Sequence, residues 1–91
     1  MTDTPWRIEV KQRAKKDLTR LDVPVRRRIV KATRKLAEDP HSGALRKLTG
    51  RAGGSKFRLR VGDWRILVTL DEDTNTVQVQ RVLPRGRAYD R

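Results

Sequence analysis

From Lys56 to Leu70 the chain carries two runs with a period of two. Phe57, Leu59 and Val61 alternate with Lys56, Arg58 and Arg60, and Trp64, Ile66, Val68 and Leu70 continue the apolar side beyond Gly62-Asp63. A helix would scatter these apolar residues around its circumference, whereas a strand puts all of them on one face. Only two residues separate the runs, and glycine accepts the positive φ that a two-residue hairpin turn demands. Asp71 to Thr76 make a polar turn before Val77 and Val79 begin a further strand. The expected unit is an antiparallel meander with one apolar face, and that face must be covered.

The cover is written upstream. Ala14, Leu18 and Leu21 are spaced for one face of a short helix starting near Gln12 and ending near Asp22-Val23-Pro24. Pro24 suits the first turn of a second helix, where its missing N–H costs nothing. Val25, Ile29, Ala32 and Leu36 recur at helical spacing to Glu38, and Asp39-Pro40 stops the run. Before the helices, Trp6, Ile8 and Val10 alternate with Arg7 and Glu9 as a first strand. Residues 40–55, rich in Gly, Ser, Arg and Lys, read as a long surface connection with one short ordered piece. The predicted fold is α+β in the order β-α-α-β-β-β: an N-terminal strand and a helical hairpin packed on one face of a twisted antiparallel sheet. With 91 residues, 35% of them hydrophobic and 4% aromatic, residues 1–91 have room for one domain with a thin core.

Charge narrows the partner. Lys and Arg number 23 against 11 Asp and Glu, a formal net charge of +12, and such a field draws polyanions. No amphipathic stretch joins a basic face to the large apolar one that membrane seating needs, so nucleic acid is expected and a membrane is not. The absence of cysteine and of a long N-terminal apolar run points to the cytoplasm. By parity Lys56, Arg58 and Arg65 share the uncovered face of the sheet. Crowded like charges weaken a sheet, so an anionic ligand would offset their cost; the plainer reading is a solvated face.

The stretch from Lys56 to Leu67, the strand Val77-Gln78-Val79 and the ending Pro84-Arg85-Gly86-Arg87-Ala88-Tyr89 resemble the RelE family of the RelE/ParE toxin superfamily, and the helical hairpin and Lys47-Leu48-Thr49-Gly50 agree with it. The resemblance implies a type II toxin: a ribosome-dependent, metal-independent endoribonuclease that cleaves mRNA in the decoding site, is held by a cognate antitoxin and uses no cofactor. Carried over by position, Lys56 and Arg58 stand beside the scissile phosphate, Arg65 clamps it, Arg85 lies near the leaving oxygen and Tyr89 contacts the cleaved nucleotide. Arg87 is close enough to Arg85 to exchange roles with it. Arg60, Arg87, Arg27, Lys31, Arg34 and Lys47 are the further positions expected to meet RNA or the ribosome.

The chemistry asks for such residues independently. Without a metal, RNA is cut by in-line attack of a 2′-hydroxyl on its own phosphodiester, so the protein must orient the backbone and neutralise charge growing on the phosphorane oxygens. Arginine does this but stays protonated, so the proton acceptor is left open between Tyr89 and Lys56. The one histidine, His41, has no second histidine to work with and reads as a surface residue. Asp71, Glu72 and Asp73 stand consecutively in a turn and read as solvated rather than as a magnesium site. The same resemblance implies an alternative function, that of a ParE-like inhibitor of DNA gyrase acting by binding, and the charge balance alone also fits a non-enzymatic basic RNA-binding or ribosomal protein.

Overall fold

A computed structural model describes residues 6–47 and 56–84. The elements run β1 (Arg7–Val10), α1 (Gln12–Thr19), α2 (Val23–Glu38), β2 (Leu45–Lys47), β3 (Lys56–Val61), β4 (Trp64–Asp71) and β5 (Thr76–Pro84). The strands form one sheet in the order β1-β5-β4-β3-β2. Both helices lie on its apolar face, where Ile29, Leu36, Ala37 and Ala14 meet Leu59, Ile66, Val68, Leu70, Val77, Val79 and Val82. These are the positions that the two periodicities mark.

The turns follow their residues. Val61 pairs with Trp64 across Gly62, whose φ is +58°. At the β4–β5 turn, Asn75 takes φ +52°, which its short polar side chain tolerates. The Asp71 carboxylate accepts hydrogen bonds from the backbone N–H groups of Asp73 and Thr74 at 3.0 and 3.3 Å, so it is spent on shaping the turn. The first helix stops at Thr19, earlier than its apolar spacing suggests, because Arg20 and Leu21 N–H bond back to Asp17 and Leu18 carbonyls in tight turns.

Two features of the sheet differ from the expectation. Leu45–Lys47 pairs with Phe57–Leu59 as an added edge strand, which is the ordered piece of the long connection. And β1 runs parallel to β5, Ile8 opposite Val77, so the sheet is mixed rather than wholly antiparallel. β1 reaches only as far as Val79 of β5. Beyond it the edge of β5 is closed by a side chain: the Asp17 carboxylate of α1 accepts the Val82 N–H at 2.8 Å and holds Arg81 at 2.8 and 3.2 Å.

Candidate functional site

Residues directly opposite on paired strands face the same side of a sheet. The β3–β4 register sets Arg60 opposite Arg65, Arg58 opposite Leu67 and Lys56 opposite Thr69, and β2 adds Arg46 opposite Arg58. All lie on the face away from the helices. There Arg46, Arg58, Arg60 and Arg65, with Gly43 and Ala44 from the loop after α2, line a cleft of about 290 Å³. None of these lining residues is acidic.

The arginines differ in setting. Arg46 and Arg60 are exposed and Arg58 is half-buried, while Arg65 is only 3% exposed, its Nη1 lying 3.4 Å from the Trp64 carbonyl oxygen that accepts from it. Withdrawing a guanidinium from water costs several kcal/mol unless fixed partners answer it, so a solvated face does not describe Arg65. A deeply set guanidinium at the floor, with more exposed ones around the rim, is an arrangement that grips an oxyanion by paired N–H···O bonds.

Past Lys56 the same face carries a row of amides and a hydroxyl that ends at a carboxylate. Gln80 Nε2 donates to Thr69 Oγ1 at 3.1 Å, Thr69 Oγ1 donates to Gln78 Oε1 at 2.8 Å, and Gln78 Nε2 donates to Glu9 Oε1 at 3.2 Å. Lys56 lies beside this row. Between Leu67 and Val68 the β4–β5 register shifts: Leu67 pairs with Arg81 and Val68 with Val79, so Gln80 has no partner on β4.

The sequence-based candidates divide accordingly. Lys56, Arg58 and Arg65 do share the uncovered face, Arg60 joins them, and the cleft gathers all but Lys56, which sits further along β3. Arg85, Arg87 and Tyr89 lie outside the described residues. Lys47 pairs with Phe57 and so faces the helical side of the sheet, and Arg27, Lys31 and Arg34 belong to α2, across the sheet from the cleft. Arg46 was missed. Its signal is the alternation Leu45-Arg46-Lys47, too short to be distinguished from loop. Among the described residues no cluster of three or more His, Cys, Asp or Glu is arranged to hold a metal ion, and no helix is long and apolar enough to cross a membrane. His41 is engaged elsewhere, 3.2 Å from Glu72 and edge-on to Trp6.

The helical side has an opening of its own. Between α1, α2 and the β1–β5 pair an apolar groove of about 250 Å³ is lined by Ile8, Val10, Leu18, Val30, Val79 and Val82 among others, with Arg34 at its margin. Ile8 and Val30 are 37% and 36% exposed, because β1 is an edge strand and the helices do not cover it fully.

The sequence profile of the family described as ParE toxin of type II toxin-antitoxin system, parDE, matches residues 8–89. Among solved structures, the toxin-antitoxin complex RelBE2 from Mycobacterium tuberculosis contains a chain 26% identical with a TM-score of 0.79, the match covering 90% of this chain and 100% of that one. The archaeal RelE-RelB complex from Pyrococcus horikoshii gives 23% identity and a TM-score of 0.77, with 92% and 99% covered. The isolated RelE toxin of Escherichia coli gives 25% and 0.71, with 92% and 88% covered. No curated protein matches the chain by sequence.

Proposed function

Because the chain belongs to the ParE toxin family of type II toxin-antitoxin systems, we propose that it is a toxin that halts translation by cutting messenger RNA on the ribosome. The observation that carries this reading is the cleft of Arg46, Arg58, Arg60 and Arg65 on the uncovered sheet face. In the proposed reaction a ribose 2′-oxygen attacks the adjacent phosphorus and the bond to the 5′-oxygen breaks, leaving a 2′,3′-cyclic phosphate and a 5′-hydroxyl. Arg65 and Arg58 hold the non-bridging oxygens as their charge grows. Lys56 or Tyr89 takes the 2′-hydroxyl proton, and Arg85, with Arg87 as its alternate, steadies the leaving 5′-oxygen, which takes a proton from solvent to become the 5′-hydroxyl. This acid–base set is weak on its own, so the ribosome's hold on the message supplies much of the alignment.

An antitoxin is the natural occupant of the apolar groove. Several similar folds are those of RelE in complex with RelB, and a helix with an apolar stripe and acidic flanks would cover Ile8 and Val30 while meeting the cations of α2. The name ParE in the matching family keeps a second reading beside this one, a ParE-like inhibitor of DNA gyrase acting by binding.

Lys56→Ala and Arg58→Ala test the choice, since neither empties the core. Under the nuclease reading each lowers cleavage of a message on programmed ribosomes by roughly 100-fold or more, in parallel with toxicity and with antitoxin binding retained. Variants that stay fully toxic and inhibit gyrase supercoiling would establish the second reading instead.

A further inference from the structure

The row Glu9–Gln78–Thr69–Gln80 has a direction imposed from one end. A carboxylate only accepts, so Gln78 must turn its amide nitrogen toward Glu9 and its oxygen toward Thr69. Thr69 spends its single hydroxyl proton on that oxygen and therefore receives the amide nitrogen of Gln80. Among these bonds the Gln80 carbonyl oxygen and its second N–H are unused, side by side in a fixed order. An amide edge held in this way is the complement of a nucleobase edge.

The surroundings say which part of a nucleotide belongs there. Gln80 and Thr69 stand with Lys56 between two clefts. One, about 490 Å³ and open, is rimmed by Asp71, Glu72 and Asp73. Those acidic groups repel a phosphate and accept amino hydrogens. The other lies along β3 and β4 between Lys56, Thr69 and Gln80, where Leu67 is the apolar side chain on this face and offers a contact for a flat ring. The arginine cleft lies on the opposite side of Lys56 along the same face, so a strand whose phosphate rests there can lay a neighbouring base toward Gln80.

Resting on the nuclease reading above, we propose that Gln80, oriented through Thr69 and Gln78 by Glu9, reads one base of single-stranded RNA beside the scissile phosphate. The base it suits sets an amino group next to a ring-nitrogen acceptor, as adenine and cytosine do. Uracil, which turns carbonyl oxygens toward the acidic rim, is disfavoured. Gln80 is a specificity residue here, and Glu9 and Gln78 are positioning residues.

Mapping the 5′ ends of cleaved message on programmed ribosomes tests the assignment. At one position near the cut, the parent is expected to prefer adenine or cytosine over uracil by about tenfold. Gln80→Ala flattens that preference. Gln80→Glu, which can only accept, moves it toward guanine, whose Watson–Crick edge carries two adjacent N–H donors. Glu9→Gln frees the row to reverse and blunts the preference with total cleavage little changed. Base preferences in both Gln80 variants identical to the parent's would overturn the proposal. Should the parent cut no message at all, the nuclease reading falls separately. The subsite is then judged by the binding of 2′-O-methyl oligoribonucleotides that differ in one base: discrimination lost in Gln80→Ala sustains it, and equal affinity for all four bases ends it.

Discussion

Asp17 shows how much one side chain does in a fold with so thin a core. Its side chain is 11% exposed, and its carboxylate closes the free edge of β5 through Val82 N–H while pinning Arg81. Burial alone would raise its pKa. The Arg81 hydrogen bonds, the Val82 N–H and the charges of Arg81 and Arg20 outweigh that and hold the carboxyl below its usual value. A group depressed in the folded state contributes stability above its unfolded pKa of about 3.9 and loses it as pH falls through the lower folded value. Asp17→Asn should therefore cost about 2 kcal/mol at neutral pH, with the deficit shrinking below about pH 4 as the parent's own carboxyl is protonated. Urea unfolding at pH 7 and pH 3 measures both numbers, and an equal deficit at the two pH values would contradict the assignment.

At the scale of elements, the β3–β4 hairpin depends on its turn. Gly62 holds φ +58°, and a Cβ there would stand 3.0 Å from Arg28 Nη2, the mobile end of a side chain that can step aside. The backbone conformation is thus the larger cost. Gly62→Ala should destabilise by about 1 kcal/mol, roughly 4–8 °C in Tm, and Gly62→Asn by less, since asparagine tolerates that region; thermal unfolding of the pair checks the order. This hairpin was legible from sequence, as were both helices and the face shared by Lys56, Arg58 and Arg65, because alternation and helical spacing encode which side a residue faces. They do not encode the neighbour. Nothing in Arg7–Val10 says that it lies parallel to β5 rather than beside β3. Three residues of β2 are too few to show a period, so Arg46 was not seen to join the cleft. The depth of Arg65 and the place of Gln80 at the register shift follow from packing between strands, to which parity is blind.

At the scale of the whole molecule the sheet joins the first and last strands of the described residues, β1 and β5. Glu9 and Gln78, 69 residues apart in sequence, are hydrogen-bonded side by side, and β5 lies between β1 and β4 while contributing Val77, Val79 and Val82 to the core. Contacts of such long range make folding slow, in the range of about milliseconds to seconds, and a lone hairpin of β3 and β4 is at best marginally stable. Chains arrested before Thr76 should be digested rapidly by a nonspecific protease, whereas chains extended well past Pro84 should resist; equal resistance in the two would show that β5 is dispensable to closure.

The placement of β5 also sets a schedule. Until β5 pairs between β1 and β4, β4 with its Arg65 is an open edge, so the arginine-bearing half of the sheet and β1 become one sheet only after residues 76–84 have been made. A copy made only as far as Asp71 has β1 and β4 but lacks the strand that joins them.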